Sequence, residues 1–355
     1  MQKHLYILIG IFAMVMLGSS WIQLSKSAQP TFAPNTRLSD YGLFKGDIAE
    51  LQPAQGVFAY ELNSPLFTDY AYKFRVVKLP DGSPMQYKPE QAFDFPVGTI
   101  IAKTFYYPKD FRKLHKGRQL IETRILMHQE EGWVAFPYVW NEAQTEAYLD
   151  VAGNIQAVTW INEKGKKMKT NYVVPNMNQC KGCHAFDDKI IPIGPTARQL
   201  NRPSPFEDEK PNQLVQWAAQ GKLAGLPSPD QIPQMAVWDN PSQASLGLRA
   251  RAWLDANCAH CHNAHGPANT SGLFLNWHQS DSTTWGVNKT PVAAGRGSGG
   301  RLYTIVPGKP HESILMYRIA SNDPGVMMPE LGRTLVHKEG VELIEEWIRS
   351  MEPQP

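Results

Sequence analysis

Cysteine is scarce in this chain. Its 355 residues include four, at positions 180, 183, 258 and 261, and all four fall in two Cys-x-x-Cys-His units, "CKGCH" and "CAHCH". None is left over for a structural bridge, which excludes a disulfide-stapled scaffold. Charge of one sign is equally scarce. The 35 Lys and Arg against 33 Asp and Glu leave a net charge of +2, so no broad electrostatic footprint for nucleic acid exists. Long apolar runs are missing beyond the first thirty residues, and no tandem repeat stands out. The Gly-rich stretch "AAGRGSGGRLY" (293–303) lacks the Gly-Lys-Ser/Thr ending and the strand–helix setting of a phosphate loop. It reads as a plain loop in which Arg296 and Arg301 are candidate partners for anionic groups.

The beginning of the chain differs from the rest. Lys3 and His4 precede "LYILIGIFAMVMLG" (5–18), and a short positive start before an apolar run reads as an export signal. Residues 1–28 are therefore expected to be a signal peptide. If uncut, 5–22 would form an N-terminal membrane anchor near the lower length limit for a span. Either way the remaining chain is expected outside the cytoplasm, in the periplasm. Contact with a membrane would run only through this segment.

The two Cys-x-x-Cys-His units carry the chemistry. Positions three and four apart lie on one helical face. Two thiols can then bond the same porphyrin edge while the adjacent imidazole turns beneath the ring to the iron. This spacing reads as c-type haem attachment. Zinc ribbons separate their paired knuckles by far less than the 74 residues between Cys183 and Cys258, and a redox dithiol needs no following histidine. The expected cofactors are two covalently bound haem c groups. Cys180, Cys183 and His184 would hold one; Cys258, Cys261 and His262 would hold the other, each histidine ligating iron. His260 and His265 are expected on the surface.

Electron-transferring haem proteins often add Met or His on the far side of the ring. Met328 precedes Pro329 in "DPGVMMPELGR" (323–333), a setting pushed away from helix. It is the expected sixth ligand of the second haem, with Met327 as the alternative. Amphipathic patterns flank it. "SQASLGLRARAWLDAN" leads into Cys258, "PHESILMYRIAS" lies between, and "HKEGVELIEEWIRSM" (337–351) closes with Val341, Ile344, Trp347, Ile348 and Met351 on one stripe. Helix, Cys-x-x-Cys-His, loop methionine and closing helix is the order of a small cytochrome c. For the first haem no Met-Pro pair exists before the helix "NQLVQWAAQGKL" (212–223). Met235, Met177, His115 and His128 are the candidate ligands, and an open iron position is the remaining alternative.

Residues 38–175 are expected to be β-rich. "YKFRVVKL", "GTIIAKTFYY", "QLIETRILMH" and "GWVAFPYVW" mix β-branched and aromatic residues, "QEEG" reads as a hairpin turn, and "NEKG" joins "IQAVTWI" to "KTNYVV". "GLFLNW" (272–277) is also strand-like. Trp133, Tyr138 and Trp140 fit a core better than a binding platform. Glu61, Asp69, Lys103 and Glu122 show no acid/base or metal-ligand spacing. The expected fold is an α+β multidomain chain, with a sandwich-like β-rich domain at 38–175 followed by α-helical, cytochrome c-like haem domains. The first haem segment spans 176–240 and the second haem domain 241–352.

The chain resembles a family of exported bacterial di-haem c-type cytochromes. The resemblance rests on "LSDYGLF", "YELNSPLFTDYAYKFR", "FPVGTIIAKTFYYP", "IETRIL", "GWVAFPYVWN", "VPNMNQCKGCH", "PIGPTARQLNR", "RARAWLDANCAHCH" and "VPGKPHESILMYRI". It implies a β-rich region joined to haem-binding segments, and a parallel β-helix repeat protein as a partner beside redox proteins. Together these readings predict a single-electron carrier. The alternative is a haem enzyme, peroxidase-like or another oxidoreductase, working at an open first haem.

Overall fold

The computed structural model describes residues 33–352. The signal or anchor expected at 1–28 lies outside the described residues. Among the described residues no helix is long and apolar enough to cross a membrane.

The strands arise where β-branched and aromatic residues cluster. In order they are β1 (Val57–Ala59), β2 (Tyr72–Lys78), β3 (Met85–Gln86), β4 (Ile100–Pro108), β5 (Arg118–Gln129), β6 (Gly132–Trp140), β7 (Ala147–Leu149), β8 (Asn154–Ile161) and β9 (Lys167–Val174). Six of them form one antiparallel sheet in the order β1-β2-β4-β5-β6-β7. β8 and β9 pair with each other outside this sheet, and Ile161 at the end of β8 bridges Asp110 in parallel. Their turn needs Gly165, whose φ of 75° disfavours any side chain.

The period of two sorts the sheet into different faces. One face buries Val76, Ala102, Ile125, Phe136, Tyr138 and Trp140 under the N-terminal segment that carries Leu38, Tyr41 and Leu43. Tyr138 and Trp140 are thus core residues. Trp133 is half-buried and stacks on His128, with ring centroids 4.6 Å apart. The opposite face is apolar at both ends. Val77 and Ile101 lie in one cluster, while Phe105, Tyr107 and Ile121 pack beneath the β8–β9 ribbon in another. Charged side chains occupy the middle.

Helices follow. α1 (Met177–His184) opens on a reciprocal cap in which Asn176 accepts from the Gln179 N–H at 2.9 Å and Gln179 accepts from the Asn176 N–H at 2.9 Å. The short strands β10 (Ala185–Phe186) and β11 (Lys189–Ile190) follow it. Next come α2 (Ala197–Leu200), α3 (Gln213–Ala219), and β12 (Leu223–Ala224), which pairs in parallel with β3. α4 (Leu246–Asn257), α5 (Ile314–Ile319) and α6 (Lys338–Arg349) share a core of Trp253, Leu254, Leu315, Ile344 and Trp347.

The expected division into a β-sandwich followed by α-helical, cytochrome c-like haem domains is overturned. Residues from Asn35 onward form one compact unit. Its strands form one six-stranded antiparallel sheet and three two-stranded pairs, β3–β12, β8–β9 and β10–β11. Among the described residues the helices are short, at most 12 residues, and they build no helical haem domain. The physical cause is compositional. Gly, Pro, Asn and Ser dominate 263–313, which forms turns and short 3₁₀ segments between α4 and α5. "GLFLNW" is likewise not a strand. The first motif leans on the sheet instead of on helices of its own, and α2 and α3 bury Ala197, Leu200, Leu214 and Trp217 in one cluster with Phe58, Val77 and Ile101 of the sheet.

Candidate cofactor site

Each Cys-x-x-Cys-His unit is set by a helix end. α1 holds Cys180, Cys183 and His184 in its last turns, and Ala185 then leaves in an extended conformation. α4 stops at Asn257, and Cys258 continues as a turn whose carbonyl accepts from the Cys261 and His262 N–H groups at 3.1 and 2.9 Å. Beyond each unit the chain doubles back, and the two returning segments clasp. The Asp187 N–H donates to the His265 carbonyl at 3.0 Å. His265 pairs with the Asp187 carboxylate at 2.9 Å and stacks on Phe186. His265 is exposed, as its turn setting suggested.

The clasp brings the second cysteine of each unit together. Ligand atoms of Cys183, His260 and Cys261 all lie within 4.8 Å of one another, and the Cys261 thiol also reaches the Gly182 carbonyl at 3.4 Å. The hydrogen bond between the two thiols lowers Cys183 and raises Cys261. Burial raises Cys180 and pushes Cys258 up to about 12. His260 corrects an expectation. It is half-buried, not exposed, and its buried Nδ1 has no partner. Sitting between two cysteines was the signal for it.

Two cavities flank this cluster. The first, about 310 Å³, is lined by Cys180, Cys183 and His184 on one side and by the charged middle of the sheet on the other. The second, about 380 Å³, is lined by Cys258, Cys261, His262, Leu273, Leu275 and Arg318. Cys183, Asn257, His260, Met328, Pro329 and Leu331 line both.

The two histidines carry their protons alike. His184 Nδ1 donates to the Ile191 carbonyl at 2.7 Å. Ser271 spends its hydroxyl hydrogen on Ala268, so the Nδ1 of His262 is the donor across their 3.4 Å contact. Each ring thus keeps Nε2 as a bare acceptor. Burial holds both imidazoles down to about 4, so each is neutral at pH 7. Neutral imidazole with Nε2 free is the form that ligates metal. Each cavity therefore supplies two thiols and one oriented imidazole, a donor set that fits a covalently attached iron porphyrin.

Met328 lines both cavities, and Met327 lines the first. Their loop is held firmly. Arg333 donates to the Met328 carbonyl at 2.7 and 3.1 Å. Met235 is buried but lines neither cavity. The same holds for His128, which donates to the Phe95 carbonyl, and for exposed His115 and Met177. Arg296 and Arg301 also line neither. Arg296 pairs with Asp323, and Arg301 lies over the Tyr317 ring. The cations at the second cavity are Lys289 and Arg318.

The cations at the first cavity were not legible in the sequence. Lys73, Arg75, Lys103 and Arg124 come from three strands, and Arg333, from the loop after Met328, is committed to backbone carbonyls. Burial, then Arg75 and Lys103, lowers Lys73 well below the usual lysine range. Burial, then Arg124 and Arg75, lowers Lys103 to about 7.

No family model, curated protein or solved structure matches this chain.

Proposed function

We propose that the protein is an exported electron carrier that holds two haem c groups and passes single electrons between redox partner proteins outside the cytoplasm. The observation that carries this reading is the assignment of each Cys-x-x-Cys-His unit to its own cavity, with the two cavities meeting at one wall. Cys180, Cys183 and His184 would hold one group, and Cys258, Cys261 and His262 the other. When bound, each iron porphyrin supplies a one-electron couple, so that a donor is oxidised and an acceptor reduced by one electron with no bond made or broken. The chain's own residues anchor, orient and enclose. Ile191 and Ser271 fix the imidazole tautomers, and Leu273, Leu275 and Ile319 exclude water. Met328 is the candidate far-side ligand of the second group. The sequence resemblance adds a parallel β-helix repeat protein as a partner. A haem oxidoreductase is the alternative; it needs an open position at the first iron, where Met235, Met177, His115 and His128 are not at the cavity wall but Met327 and Met328 are.

The deciding measurement is made on protein exported by a host able to mature such cytochromes. Mass spectrometry should count two covalent haems. Spectra of the reduced protein should not respond to carbon monoxide, whereas a response at one iron would favour catalysis. A second reading follows from the convergence of Cys183, His260 and Cys261. Two thiolates and an imidazole suit zinc, and a colourless product with stoichiometric metal would establish that reading and overturn the first.

A further inference from the structure

The sheet's second face carries an arrangement that its own residues do not complete. Arg75 on β2 stands opposite Lys103 on β4, and Lys103 stands opposite Arg124 on β5. Lys73 lies two residues before Arg75 on the same face. Like charges directly opposite one another destabilise a sheet, and an unpaired charge that is half-buried, as at Lys73 and Lys103, adds to that cost. Each arginine has a remedy. Arg75 pairs with Glu61 at 2.8 Å. Arg124 pairs with Glu122, which also accepts from the Tyr172 hydroxyl at 2.6 Å. The lysines have none. Lys73 reaches only the Ala71 carbonyl at 3.1 Å. Lys103 has neither hydrogen-bond nor ion-pair partner among the described residues, and lies over the Phe105 ring at 5.1 Å, a ring that Lys73 and Arg124 also approach. The other carboxylates at the cavity are engaged elsewhere. Asp69 accepts from Thr334 and Leu335, and Glu330 lies at the rim, 3.6 Å from Arg318.

We infer that Lys73 and Lys103 form an anion-binding site in the first cavity, built by the sheet to take a carboxylate or a small oxyanion against the face that opposes Cys180, Cys183 and His184. The site explains why the middle of an otherwise apolar sheet face is cationic. Two sources supply such an anion. One is the pair of propionate side chains of a porphyrin anchored on α1, in which case the site rests on the proposed function. The other is a free anion that enters the cavity as a ligand.

The test uses the exported, matured protein, with its covalent haem count measured first. Calorimetric titrations use nitrite and acetate as probes, and potentiometric titration gives the haem midpoints. The variants are Lys73→Met, Lys103→Met and the charge-retaining Lys103→Arg. For a free anion, the unaltered protein binds a probe, each Met variant weakens it at least tenfold, and Lys103→Arg restores most of the affinity. For propionates, neither probe binds, one of the two midpoints moves down in both Met variants, and Lys103→Arg returns it. A protein with two haems, no probe binding and unmoved midpoints overturns the inference and leaves the proposed function standing. A haem count of zero overturns the proposed function, and the calorimetric comparison still decides the anion site.

Discussion

Cys183 and Cys261 meet side by side, although each belongs to a different motif, Cys183 on α1 and Cys261 in the turn that follows α4. His260 completes the group within 4.8 Å. The proposed function assigns the two thiols to different porphyrins and gives His260 no ligand role. Cys180→Ala combined with Cys183→Ala should therefore leave one covalent haem by mass, and His260→Ala should leave two. Loss of a stoichiometric metal ion in His260→Ala, with no haem in either variant, would reverse the assignment.

Asp69 reaches across to the loop that follows Met328. Its carboxylate accepts from the Thr334 N–H at 2.7 Å, the Thr334 hydroxyl at 2.8 Å and the Leu335 N–H at 2.8 Å, and the residue is almost fully buried. Hydrogen bonds to a charged group contribute about 1.5–3 kcal/mol each and do not add fully. Asp69→Ala should cost about 2–4 kcal/mol by denaturant unfolding. In the matured protein, Met328→Ala should lower one midpoint potential, because a thioether ligand raises it. A spectrum and potential unchanged by Met328→Ala would remove that ligand.

How far the sequence could be read depended on the range of the interactions. The ribbon β8–β9 and strands β4, β5 and β6 stand where alternation and turn residues placed them, because those signals are local. α4 and α6 stand where their apolar stripes indicated. The shape of the whole did not follow, since nothing local says that Cys183 will meet Cys261 or that α1 will face a sheet. The clasp of Asp187 on His265 spans 78 positions. Lys103 gave no signal because its meaning lies in being opposite Arg75 and Arg124, a matter of strand register. Met235 failed to reach the first cavity for a similar reason: its N–H is tied to the Arg198 carbonyl at 2.9 Å, away from α1.

α4 and α6 approach so closely that Gly340 leaves no room for a side chain. A Cβ there would lie 2.4 Å from Trp253 Nε1 and 2.7 Å from His337 Nδ1. Its backbone is helical, and Ala in a helix is favoured over Gly by about 1 kcal/mol. Overpacking against a buried indole costs about 1–3 kcal/mol and should prevail. Gly340→Ala is expected to lower the thermal midpoint, and an increase would show that the helix pair relaxes without cost.

His337 ties the same junction to pH. Its ring stacks on Phe67 at 4.2 Å, and its Nδ1 accepts from the Trp253 indole at 3.0 Å. Burial lowers its pKa from 6.5 to about 4, against a weaker opposing pull from Glu339. The unfolded chain therefore takes up this proton first. The contribution of His337 to stability is complete above pH 6.5, falls as pH drops toward 4, and is spent below that. Linkage sets the loss at up to about 3 kcal/mol. His337→Gln keeps an acceptor for Trp253 but cannot titrate. Denaturant unfolding at pH 7.5 and pH 4.5 should show a smaller acid loss in the variant than in the unaltered protein. Parallel losses would mean that the His337 pKa is the same folded and unfolded, so that the ring takes up its proton in the folded chain at the cost of the hydrogen bond from Trp253.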